Sequence, residues 1–102
     1  MNDPILLNVK SLIDAYPMKD DKTATFNVCY NLLKFCYEKD LLLKKPFNDK
    51  FELNPDVIIR KSDLTDKGQN VFWNLSQKWF AYTDRTNKID NVEMLEKWLS
   101  KM

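Results

Sequence analysis

The chain has 102 residues, and its 16 basic and 15 acidic side chains leave a formal net charge of +1. This length suits one domain, read as residues 1–102, and an apolar content of 44% suits a globular core with no signature of disorder. The near-cancelled charge argues against a strongly electrostatic nucleic-acid binder but allows a local patch. A chain without histidine and with one glycine has no glycine-rich phosphate loop and no imidazole for acid–base work or metal binding.

No apolar run approaches the ~20 residues that span a bilayer. No basic segment precedes the apolar residues of MNDPILLNVK, so no secretory signal is read there and a cytoplasmic protein is expected. Asp3-Pro4 reads as a helix start, a capping carboxylate followed by proline in the first turn. Ile5, Leu6, Val9, Leu12, Ile13 and Tyr16 then share a helical face, Leu7 lies off it, and Pro17 ends the helix. Residues 20–23 read as a polar linker with several caps.

A longer helix is expected over residues 23–40. Phe26, Cys29, Tyr30, Leu33, Cys36 and Tyr37 make one stripe, and Val28, Leu32 and Phe35 a second on nearly the opposite side. Asn27, Asn31, Lys34 and Glu38 line up as the polar strip. A helix apolar nearly all round is buried between layers or lies in an interface. Cys29 and Cys36 are seven residues apart, about 10 Å along a helix. That is beyond the ~7 Å a disulfide allows, so both are expected as small buried side chains.

Leu41 to Leu43 extends this helix or starts a strand, and Pro46 stops either. Residues 46–56 read as a loop with a short strand near Phe51 to Leu53. Val57-Ile58-Ile59 is the clearest strand, and a hairpin of 57–61 with either 41–45 or 50–53 is expected to pack on the helices. Ser62-Asp63 and Thr65-Asp66 both offer N-caps for an aromatic helix over about 65–84. On it Val71, Phe72, Leu75, Trp79 and Tyr82 share one face, while Trp73 and Phe80 form a flanking stripe beside Gln77 and Asp84. Either the last helix folds back over Trp73 and Phe80, or one of them stays exposed as an anchor for a partner. That last helix is expected to start at a capping-box pair, Asp90 and Glu93, and to bury Val92, Leu95, Trp98 and Leu99.

From residue 24 onward, NVCYNLLKFCYEKDLLLK, a basic loop and then VIIRKSDLTDKG resemble the order of MarR- and PadR-type winged-helix regulators. In these a recognition helix leads into a two-stranded wing, and an LTxxG phrase opens the next helix. Leu32-Leu33 and Leu64-Thr65-Asp66-Lys67-Gly68 match that order, whereas Asp40 stands where a glycine usually precedes the wing. The resemblance spans about residues 23–83. The tail from Ser62 to Leu99 is similar to small bacterial immunity proteins encoded beside polymorphic or contact-dependent inhibition toxins. Together these imply a mainly α (α+β) fold of four helices with a small two-stranded hairpin, winged-helix-like.

Two functions remain open at this level. The second resemblance implies a non-catalytic protein that binds and blocks a toxin domain in the cytoplasm. The residue pattern itself, an aromatic stripe with nearby charges, offers Trp73, Phe80, Asp84, Arg85, Asp90 and Glu93 as the expected contact surface. The first implies a DNA-binding regulator, with Asn27, Asn31 and Lys34 facing bases and Lys44, Lys45, Lys50, Arg60 and Lys61 touching phosphates. Neither needs a metal or cofactor, no membrane partner is expected, and the chain is expected to be a monomer or weak dimer.

Overall fold

The computed structural model describes residues 3–102. The chain order is β1 (Ile5–Asn8), α1 (Val9–Asp14), α2 (Lys19–Glu38), β2 (Ile58–Arg60), a 3-10 turn (Lys61–Asp63), α3 (Asp66–Thr86) and α4 (Glu93–Ser100). The fold is mainly α with one small antiparallel sheet, as the residue pattern predicts.

The strand partner differs from the expected one. β2 pairs with β1, not with residues 41–45 or 50–53, in the register Ile5↔Arg60, Leu7↔Ile59 and Asn8↔Ile58, with an irregularity between Ile5 and Leu7. The helix expected from Asp3-Pro4 is therefore a strand for its first turn. Leu7 and Val9 are buried while Leu6 and Asn8 are only partly so, an alternation of period two that explains why Leu7 falls off a helical stripe. Asp3 caps no helix. Its carboxylate accepts from the Ser62 N–H at 2.9 Å and from Ser62 Oγ at 2.8 Å, fastening the chain start to the 3-10 turn. These bonds, backbone before side chain, hold the Asp3 carboxyl below its ordinary value of 3.8. α1 is capped by Asn8, whose side chain accepts from Ser11 N–H.

Residues 20–23 belong to α2, not to a linker, and Asp20 and Asp21 face the positive end of its dipole from the first turn. α2 buries both stripes, Cys29, Leu33 and Cys36 on one and Val28, Leu32 and Phe35 on the other. Both thiols are free, and burial pushes each up to about 12. α2 ends in a Schellman motif: Asp40 has φ 57°, Leu41 N–H donates to Cys36 O at 2.9 Å and Asp40 N–H to Tyr37 O at 3.3 Å.

Leu41 to Leu43 then runs extended against 63–65. Leu42 bridges Leu64, Leu43 N–H donates to Asp63 O, and Thr65 N–H donates to Leu41 O. The segment 46–56 is a loop closed by a Phe47–Leu53 bridge, with Asn48 Oδ1 accepting from Lys50 and Glu52 N–H. Tyr30, Tyr37 and Phe51 pack around Phe47.

α3 starts at Thr65, whose Oγ1 accepts from Gly68 N–H. Its core face is the expected one, with Val71, Phe72, Leu75, Trp79 and Tyr82 buried. Trp79 donates its indole N–H to Val28 O at 3.0 Å, joining α3 to α2 through the core. α4 packs on the C-terminal end of α3, with Trp98 edge-on to Tyr82 (centroids 5.6 Å apart) and Leu95 fully buried. No capping box forms at its start. Val92 is the N-cap residue without a side-chain hydrogen bond, and Glu93 lies one position inside.

Candidate binding groove

Trp73 is 53% exposed, so α4 does not cover it. α4 meets α3 at Tyr82, nine residues or about 13 Å further along the axis and on the core face. Trp73 instead belongs to one wall of an open groove of about 740 Å³. That wall is the flanking stripe of α3: Trp73, Gln77, the pair Phe80 and Ala81, and Asp84 follow at helical spacing and all line the groove. Asn87 and Ile89 close its end.

The facing wall is β1, all four of whose residues line the groove, continued by Ser11 and Leu12 of α1 and by Tyr16. The floor is the N-terminal half of α2, through Asp21, Ala24, Thr25 and Val28. Among the described residues, the charged groups lining the groove are Asp21 and Asp84, both exposed carboxylates. An apolar trough with carboxylates and no cation suits an apolar group flanked by positive charge.

The expected contact surface is thus divided. Trp73, Phe80 and Asp84 share the groove. Arg85, Asp90 and Glu93 are exposed but lie outside its lining. Arg85 is one residue past Asp84, hence about 100° round the helix, and Asp90 and Glu93 belong to the loop and start of α4. The sequence pattern places a helix over α1 but neither the strand β1 nor the part of either in a groove. The trace of β1 in that pattern is Leu7, an apolar residue that a helical stripe could not place.

Several of the residues considered for DNA contact carry bonds within the chain. Asn31 Nδ2 donates to Ile89 O at 2.7 Å and so ties α2 to the loop that closes the groove. Lys44 Nζ donates to Ile58 O at 2.7 Å and pairs with Asp63 at 3.1 Å. Lys45 Nζ lies 4.9 Å from the centroid of the Phe51 ring. Arg60 donates to Asp3 O at 3.3 Å. Asn27, Lys50 and Lys61 are exposed on α2, the 46–56 loop and the 3-10 turn, and Lys34 is half-buried on α2.

Among the described residues, no group of three histidine, cysteine, aspartate or glutamate side chains is arranged to hold a metal ion. No helix among them is long and apolar enough to cross a membrane. Comparison with protein-family models, curated proteins and solved structures returned no match.

Proposed function

We propose that the chain is a non-catalytic binding protein that docks a partner protein in the groove between β1 and α3, and that it serves as an immunity protein occluding a cognate bacterial toxin domain. The observation that carries this reading is Trp73. It is a large apolar side chain, more than half exposed on a helix whose other face is buried, and it stands in a trough edged by carboxylates. Tryptophan is among the residue types enriched at binding hot spots. Neutralisation by this route needs no chemistry. A bound chain covers the toxin's own site, and Asp21 and Asp84 select a basic partner surface.

The test is capture from native cells with the full chain tagged at its C-terminus, with nuclease present, read by mass spectrometry. A stoichiometric toxin-like protein is expected. Trp73→Ala is expected to weaken its binding about 30-fold or more, the effect of a ~2 kcal/mol hot spot. Stability should change by less than about 1 kcal/mol, because Trp73 is mostly outside the core. Recovery of nucleic acid alone, lost on nuclease treatment, would replace this reading with the DNA-binding one.

A further inference from the structure

We propose that the groove receives its partner as an extended segment that adds a third strand to β1, with an apolar side chain against Trp73 and Phe80 and a cationic one at Asp21 or Asp84. The inference rests on the docking reading above and specifies the form of the occupant.

The sheet has two strands, so β2 occupies one edge of β1 and leaves the other open. The groove lies on that open side: Ile5, Leu6, Leu7 and Asn8 all line it, and no residue of β2 does. Among the described residues, no segment outside the sheet hydrogen-bonds to the backbone of Ile5–Leu7. A strand edge of this kind presents N–H and C=O groups ready to pair with another chain. Small proteins recognise extended peptides in this way, the ladder giving affinity and pockets for alternate side chains giving selectivity.

The groove supplies such a pocket. A four-residue strand is about 13 Å long, and β1 offers that length opposite the stripe of Trp73 and Phe80. Charge selects the occupant further. Asp21 and Asp84 favour lysine or arginine in the added segment. A second copy of β1, Ile-Leu-Leu-Asn, has no cation to answer them, so a foreign basic–apolar strand fits better than self-pairing.

The probes are three end-capped heptapeptides: alternating lysine and valine, alternating glutamate and valine, and the lysine peptide N-methylated at every backbone amide. Each is titrated into the full ¹⁵N-labelled chain. The lysine peptide is expected to shift the backbone amides of Ile5–Asn8 and the indole N–H of Trp73. The glutamate peptide, repelled by the carboxylates, and the N-methylated peptide, stripped of ladder donors, are each expected to bind about tenfold more weakly or worse.

Equal binding by the N-methylated peptide overturns strand addition. So do shifts at Trp73 with none at Ile5–Asn8, which would make the groove a pocket for side chains or small apolar molecules. Failure of all three peptides also overturns it. If capture from cells then still yields a partner sensitive to Trp73→Ala, the docking reading stands without strand addition. If the lysine peptide behaves as expected while no protein is captured, the strand site stands and the immunity reading falls.

Discussion

Gly68 shows how a single hydrogen can fix the approach of two segments. A Cβ added there would lie 2.1 Å from Leu41 O, the carbonyl that also accepts from Thr65 N–H. Backbone sits on both sides of the clash, so neither can yield cheaply. Gly68→Ala is expected to destabilise by about 1–3 kcal/mol in urea denaturation, although alanine is the better helix former. Asp40 is the converse case, a residue with a side chain at φ 57° in a position that favours glycine. Asp40→Gly is expected to stabilise by up to about 1 kcal/mol. Titration adds two expectations. The Asp3 carboxyl is lowered, so its clasp on Ser62 contributes above the ordinary value of 3.8 and is lost as pH falls below it. Asp3→Asn should therefore be less stable than the parent at neutral pH and match it in acid. The buried thiols are raised, so their contribution is complete below 9 and is lost as pH rises from there toward 12. A thiol reagent at pH 8 should leave Cys29 and Cys36 untouched until the chain unfolds.

Among the elements, α2 and α3 were legible because their patterns are long and local. Two apolar stripes marked α2 as the central helix, and the face of α3 followed from a 100° repeat. The groove wall of Trp73, Phe80 and Asp84 was legible for the same reason. β1 was not legible. Three apolar residues beside proline fit a helix turn as well as a strand, and what decides between them is β2, roughly fifty residues away. The start of α4 misled in another way, because Asp90 and Glu93 carry a capping-box spacing but the helix begins after Val92, where Leu95 can reach the core. The polar strip of α2 places Asn31 outward, and it is instead the tie between α2 and the loop after α3. Asn31→Ala is expected to cost about 1 kcal/mol and to speed amide exchange over residues 87–92, because the Ile89 carbonyl loses its donor.

At the scale of the molecule, β1 has two tasks. Its inward side chain Leu7 seals the core beside Ile59, and its outer edge forms half of the groove. A chain beginning at Val9 should therefore lose both. With a ~3 kcal/mol loss from the missing leucine, its thermal midpoint should fall by about 12–24 °C, and capture of a partner should cease even well below that midpoint. Trp73→Ala should separate the two tasks, ending capture while leaving the melting curve nearly unchanged.

The pairing of Leu7 with Ile59 also sets an order of events during synthesis. β2 follows β1 out of the ribosome roughly fifty residues later, ~3–10 s at ordinary elongation rates. Through that interval Ile5-Leu6-Leu7 is an apolar segment with both edges open. The groove is thus complete only after β2 and then α3, both made after β1, have emerged.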